Sequence, residues 1–139
     1  MTDFAELHDE LRSVARDLLK AQSPDWGVLA ASGWTGLEVP DDLDGAGATF
    51  AETAVILREM GRAATTSPYL GAAVLGVGTL LALRPNAERD EMLRQAGTGE
   101  AIPVGVAGDR ASPFGMEGTR LSGTAEFIAD AAAAILKAG

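Results

Sequence analysis

The acidic run at residues 41–45, Asp-Asp-Leu-Asp-Gly, is the part of this sequence that comes nearest to a metal-binding pattern. Calcium prefers carboxylate oxygens, and an EF-hand loop needs them at fixed positions around one glycine. With Gly45 as that glycine, the first and twelfth ligand positions fall on Pro40 and Ala51, and the register on Gly47 fails in a similar way. The run therefore predicts a turn, and the sequence predicts no metal site.

His8 is the only histidine, and the chain contains no cysteine. A Ser-His-Asp triad or a histidine metal site would have to use His8, which falls on the polar side of a predicted N-terminal helix. We therefore predict a solvated side chain there, and the sequence singles out no catalytic residue. The lack of cysteine excludes disulfides and suits a cytoplasmic location.

Other ligand classes find little support in the residues. Gly45-Ala46-Gly47 precedes a helix, but Phe50 stands where a dinucleotide-binding turn has its third glycine. A net charge of −9 argues against a nucleic-acid surface. The uncharged stretch from Ala63 to Leu83 is interrupted by Pro68, so we predict a buried helix and no membrane span.

The apolar spacing predicts a mainly α fold, in which residues 1–99 form an all-α helical bundle. The first helix is expected from about Thr2 to Ala21, with Phe4, Leu7, Leu11, Val14 and Leu18 as its apolar face and Asp3 and Glu6 at its start. Four further helical patterns follow; these are Ser23-Pro24 to near Gly33, a helix capped by Thr49 and Glu52, Ser67-Pro68 to about Leu83, and a short helix capped by Asn86 with Met92, Leu93 and Ala96 inward.

The sequence also predicts the course of one loop and the polar face of one helix. Residues 33–47 predict a loop that packs down through Trp34, Leu37 and Val39. In the helix after Thr49, we expect Glu52, Arg58, Glu59 and Arg62 to form the polar face.

Residues 100–139 read as the beginning of a second, truncated unit, an incomplete antiparallel β segment. Residues 101–106 are short, apolar and β-rich, and residues 119–128 alternate like a strand. Residues 131–136 fit either a third strand or a stub of helix. Three strands are too few to close a barrel.

Several runs, in order, resemble the acyl-CoA dehydrogenase family. Residues 33–47 are similar to its "GW-x-G-x-x-x-P-E-x-x-G-G-x-G", and Glu59-Met60-Gly61-Arg62 is similar to its "EELGR". Residues 66–70, Thr-Ser-Pro-Tyr-Leu, match the stretch before its next helix. Residues 93–102 resemble its "L-P-x-L-A-x-G-E", and residues 121–128 resemble its "LSG-x-x-x-F-V" hairpin. The resemblance covers almost the whole chain, as that family's N-terminal helical domain plus the start of its central β domain.

The resemblance implies FAD as cofactor, an acyl-CoA thioester as substrate, and assembly with another acyl-CoA dehydrogenase chain as a homo- or hetero-oligomer. The reaction removes hydrogens from Cα and Cβ of the thioester. The cofactor-contacting positions that it implies are Val106, Gly108, Phe127 and Ala129. Gly108 and Ala129 lack the hydroxyl that the family's pattern has there, so we expect this chain to bind flavin weakly, if it binds it alone.

Two hypotheses of function follow. The chain is the N-terminal part of a flavin-dependent acyl-CoA dehydrogenase, inactive alone because the glutamate base of most members lies in a C-terminal domain. In a narrower version it belongs to the non-catalytic subunit of a heteromeric enzyme, such as those that oxidise steroid or fatty acyl-CoA side chains. The alternative is a free-standing interaction module that reuses the helical domain.

Overall fold

The computed structural model of the chain describes residues 4–20, 24–106, 111 and 113–131. Its first helix, α1, runs from Phe4 to Leu19. Its predicted capping residue Asp3 lies outside the described residues. Two residues of the predicted apolar face are well exposed, Leu7 at 40% and Val14 at 54%, whereas Ala15 and Leu19 are buried. Leu11 and Leu18 of the predicted face do pack against the core, so the core face is turned only part of the way from the prediction, toward Ala15 and Leu19. This rotation places polar residues of α1 beside α3.

Helix α2, Trp26–Ala31, begins later than predicted because Asp25, and not Ser23, is its N-cap. The Asp25 side chain accepts a hydrogen bond from the Val28 N–H at 2.9 Å. The chain leaves the helix through Gly33, whose φ of 76° lies in the left-handed region that glycine adopts without strain.

The loop after α2 packs down as predicted, in two short 3-10 turns, Trp34–Gly36 and Asp41–Leu43. Trp34 and Val39 are buried, and Leu37 packs against the core. Helix α3, Phe50–Arg62, then starts with the predicted capping box of Thr49 and Glu52.

The uncharged helix spans residues 70–82 and begins two residues after Pro68, later than predicted. It is π-helical over Leu70–Gly76 and continues directly as α4, Val77–Ala82. Helix α5, Ala87–Thr98, has the predicted Asn86 cap and ends at the left-handed Gly99. Leu93 and Ala96 are buried as predicted, but Met92 is 47% exposed.

The helices enclose two apolar clusters. One lies between α1, α2, α3 and the start of the uncharged helix, around Leu29, Ile56 and Tyr69. The other lies between the loop, α4 and α5, around Val39 and Leu93. The prediction of a mainly α fold is confirmed. No helix within the described residues is long and apolar enough to cross a bilayer.

The β part is smaller than the sequence predicted. Strands β1, Gly115–Glu117, and β2, Arg120–Ser122, form one antiparallel hairpin. The strand predicted at 101–106 is wrong: this segment forms no strand and lies along the uncharged helix, which half-buries residues 101–105. The strand predicted at 119–128 extends only from Arg120 to Ser122, and the next residue is Gly123, with a φ of 155°. The prediction for residues 131–136 lies outside the described residues, except for Ala131.

Candidate functional site

Three of the four residues that the resemblance implies for cofactor contact are described, and they lie in two segments that contact the uncharged helix. Val106 is 46% exposed, Phe127 is fully exposed, and Ala129 is half-buried. Gly108 lies outside the described residues. The segments contact the helix near its two ends, one beside Thr79 and the other beside Gly71.

The segment that ends at Val106 approaches the helix without room for side chains between them. A Cβ at Gly76 would lie 2.5 Å from the Pro103 carbonyl oxygen, and one at Gly105 would lie 2.7 Å from Thr79 Oγ1. Glycine at both positions therefore allows the backbone to lie directly on the helix. The segment that was predicted as a strand is therefore irregular chain that packs on a helix.

The uncharged helix presents an apolar surface beside these segments. Leu70, Leu75 and Leu83 are 46%, 47% and 51% exposed, and residues 70–82 contain no ionisable side chain. The Thr79 hydroxyl donates to the Leu75 carbonyl at 2.7 Å, so it is already engaged within the helix. An exposed aliphatic surface of this kind fits an apolar ligand or a covering layer of protein.

The polar group nearest to catalytic chemistry lies elsewhere, between α1 and α3. His8 Nε2 is 2.8 Å from Glu52 Oε1, while Glu52 Oε2 accepts from the Thr49 N–H at 2.8 Å and from the Thr49 hydroxyl at 2.7 Å. The solvated His8 that the sequence predicted is therefore wrong, because the rotation of α1 brings the ring against the start of α3. These bonds, first those from Thr49 and then that from His8, lower the pKa of Glu52 to about 2.

A second buried carboxylate, Glu59, is held by three arginines. Arg16 donates two hydrogen bonds to it at 3.0 and 3.2 Å, Arg62 donates one at 3.1 Å, and Arg12 lies at 4.0 Å. The hydrogen bonds from Arg16 hold the pKa of Glu59 below its ordinary value. The predicted polar face of α3 is thus wrong for Glu52 and Glu59, which are 9% and 3% exposed.

Both carboxylates serve to join helices. A general base works best with a pKa near the operating pH, whereas these pKa values are lowered and the oxygens are occupied. The acidic residues 41–44 form a turn in which Asp41 Oδ1 accepts the Asp42 N–H at 3.0 Å. No cluster of metal-ligating side chains occurs within the part of the chain that the structure describes.

The low pKa of Glu52 predicts a specific pH dependence. Since its folded pKa of about 2 lies below its ordinary 4.5, its charged form stabilises the fold fully above pH 4.5, and this contribution is lost as the pH falls toward 2. Glu52→Gln keeps an acceptor for the capping box but removes the charge. We expect unfolding midpoints in urea to fall less steeply between pH 4.5 and 2 in the variant.

Glu10→Gln supplies the matched control, since Glu10 is exposed on α1. It should leave the wild-type slope unchanged over the same pH range. Equal slopes for wild type and Glu52→Gln would show that the bonds to Thr49 and His8 do not couple this carboxylate to folding.

Comparison with known proteins agrees with the resemblance in the sequence. The acyl-CoA dehydrogenase N-terminal domain matches residues 3–100. In Mycobacterium tuberculosis, acyl-CoA dehydrogenase IpdE2 is 35% identical over 55% of this chain and 24% of its own length. Acyl-CoA dehydrogenase FadE28 of the same organism is 33% identical over 71% of this chain and 31% of its own length. The chain thus spans about a quarter to a third of the length of these curated relatives.

A solved structure, a variant of the Tcur3481-Tcur3483 steroid ACAD, has the same fold. It superposes with a TM-score of 0.74 over 91% of this chain and 42% of its own, at 22% identity. The likeness extends past the helical part into residues after 100, since residues 1–99 make up less than 91% of the chain. The matched domain, the two relatives and the shared fold together show that this chain belongs to the acyl-CoA dehydrogenase family.

Proposed function

We propose that this chain is the N-terminal part of a flavin-dependent acyl-CoA dehydrogenase, where its uncharged helix forms one wall of the acyl pocket. The observation that carries the proposal is the pair of segments lying on that helix beside exposed Leu70 and Leu75. They bring the two implied cofactor-contacting segments next to an apolar surface free of charge. FAD, when bound, supplies the acceptor for the hydride from Cβ of the thioester.

The residues present fit a flavin only in part. Val106 and Phe127 offer exposed apolar side chains, and Ala129 offers no hydroxyl to the flavin edge. Each missing hydrogen bond to a buried group weakens binding by about 1 kcal/mol or more. We therefore infer that the polypeptide is the non-catalytic subunit of a hetero-oligomer, and that its partner chain supplies the flavin's hydrogen bonds and the base.

The same comparisons support a proposal for the partner. The solved steroid ACAD whose fold matches this chain carries two designations in its name, Tcur3481 and Tcur3483. We propose a second acyl-CoA dehydrogenase chain as partner, a steroid or fatty acyl-CoA thioester as substrate, and a cytoplasmic location. With this substrate, the protein would act in the β-oxidation of such side chains.

The test is to purify the natural polypeptide that contains this chain, alone and co-expressed with a neighbouring acyl-CoA dehydrogenase gene. We expect little flavin absorbance alone, and in the complex we expect bound flavin that is bleached by acyl-CoA. Stoichiometric FAD and acyl-CoA oxidation by the polypeptide alone would contradict the non-catalytic role. If no combination binds flavin or acyl-CoA, the interaction module is the correct hypothesis.

A single substitution refines this experiment. Ala129→Thr restores the hydroxyl at a described position, and we expect it to tighten flavin binding about fivefold, the equivalent of one hydrogen bond of about 1 kcal/mol. Ala131→Thr is the control, since Ala131 is exposed two residues away. Equal affinities in the two variants would remove Ala129 from the cofactor site.

A further inference from the structure

Asp130 makes a contact with the uncharged helix that the family resemblance does not include. Its Oδ2 accepts the Gly71 N–H at 2.7 Å, across 59 residues of sequence. Gly71 lies in the first turn of the helix, where backbone N–H groups have no acceptor within the helix itself. Asp130 therefore caps a helix from a distant segment, with a charge-assisted hydrogen bond.

The contact requires glycine on the helix side. A Cβ at Gly71 would lie 2.7 Å from the Ala129 carbonyl oxygen and 2.8 Å from Asp130 Cβ. The oxygen belongs to the backbone, so a small side-chain rotation could not relieve the overlap. The helix and the segment at 129–130 are thus in direct contact through a position with no side chain.

The π-helical turn explains why two such contacts lie along one helix. In a π-helix, hydrogen bonds link residues five apart, so Gly71 and Gly76 lie one above the other. Gly76 receives the segment at 101–106, and Gly71 receives the segment at 129–130. The π-helical geometry therefore aligns both glycines for the two segments that follow the helical domain.

The backbone around Asp130 is held in an unusual conformation. Phe127 and Asp130 have φ values of 57° and 56°, in the left-handed region that residues with a Cβ seldom adopt. These two residues stand on either side of Ile128 and Ala129. The path of the backbone through residues 127–130 therefore depends on the contacts that hold Asp130. Such conformations persist where the surroundings determine them, and the bond to Gly71 is a contact that holds the end of this turn.

We propose that Asp130 is a positioning residue: its bond to Gly71 fixes the turn at residues 127–130 on the uncharged helix, and so sets the placement of Phe127 and Ala129 for cofactor contact. The latch is the Asp130–Gly71 contact. Its structural part stands on the geometry alone, while its role in cofactor placement rests on the proposed function.

Hydrogen–deuterium exchange of a peptide covering residues 123–131 tests the latch in this chain. Asp130→Gly removes the carboxylate while accepting the left-handed backbone, and Gly71→Ala inserts a methyl group without changing any charge. We expect each to speed exchange roughly tenfold, the size expected for a lost charge-assisted hydrogen bond. Asp130→Asn keeps an acceptor and tolerates the same backbone, so its exchange should stay within about threefold of wild type.

Gly78→Ala is the control, because Gly78 is on the same helix with no atom within 4 Å of its added Cβ. Its exchange at 123–131 should match the wild type. Equal exchange in Gly71→Ala and Gly78→Ala, or no change in Asp130→Gly, would overturn the latch. Exchange in Asp130→Asn as fast as in Asp130→Gly would overturn the hydrogen-bonding role. If Gly71→Ala does not fold, Asp130→Gly and Asp130→Asn still decide.

A second readout in the flavin-loaded complex separates the latch from the proposed function. Asp130→Gly should weaken flavin retention about tenfold, in line with the exchange effect. Faster exchange with unchanged flavin affinity would overturn the positioning role. A complex that holds no flavin would refute the proposed function, whereas the exchange data would still decide whether the latch exists.

Discussion

Gly45→Ala is expected to lower the free energy of unfolding by about 3 kcal/mol or more, because the added methyl group has no space. Its Cβ would lie 2.0 Å from the Val39 carbonyl oxygen and 2.5 Å from Val39 Cβ. Val39 is fully buried, and its carbonyl accepts the Gly47 N–H at 2.9 Å, so it cannot move without breaking the loop. Urea unfolding at neutral pH measures the loss.

Two other glycines make the controls for this prediction. Gly61→Ala adds a methyl group with no atom within 4 Å, in the last turns of α3, and should stabilise the chain by about 0.5–1 kcal/mol through helix propensity. Gly47→Ala has room but a φ of 59°, so it should cost about 1 kcal/mol from backbone conformation alone. A Gly45→Ala loss no larger than that of Gly47→Ala would contradict the role assigned to the Val39 contact.

Local signals predicted several helix ends correctly, although α2 and the uncharged helix begin later than predicted. The capping box of Thr49 and Glu52, the Asn86 cap and the helix end at the left-handed Gly33 are all present. Each of these features depends on residues within a few positions of one another, so the sequence carries the information directly.

The burial of polar residues could not be predicted in the same way. Glu52 and Glu59 have helical spacing typical of a solvated face, but their partners His8 and Arg16 are 44 and 43 residues away. Only the packing of α1 on α3 brings them together. The rotation of α1 that buries Ala15 in place of Val14 depends on the same long-range contacts.

The strand predicted at residues 101–106 failed for a related reason. Ile102, Val104 and Val106 have the β propensity of a strand, but propensity does not say whether a sheet or a helix covers them. Here Gly76 and Gly105 leave room for the backbone to lie on the uncharged helix, and Pro103 cannot donate to a sheet. The Asp130–Gly71 bond had no sequence signal, since neither residue lies in a motif that links them.

Trp34→Ala is expected to lower the free energy of unfolding by about 3–5 kcal/mol, the range for large aromatic side chains removed from a core. Trp34 is 3% exposed and lies edge-on to Tyr69, with ring centroids 6.5 Å apart. Burial raises the pKa of the Tyr69 hydroxyl, which donates to the Trp34 backbone carbonyl at 3.1 Å. The variant keeps that backbone carbonyl, so the loss of unfolding free energy reports the packing of the indole ring alone. Chemical unfolding, followed by circular dichroism, gives the value.

Trp26→Phe is the matched control, since Trp26 is the only other tryptophan and is half-buried. Its Nε1–H donates to the Gly99 carbonyl at 2.9 Å, so the variant should lose about 1 kcal/mol for one hydrogen bond. Each variant also leaves one indole as a reporter, and the buried Trp34 should emit at shorter wavelength than Trp26 in the folded chain. Comparable losses in both variants would contradict a core that depends on Trp34. A much larger loss at Trp34 would show that the residue after Gly33 in the family's motif is kept for packing, because it ties the loop at 33–47 to the start of the uncharged helix through Tyr69.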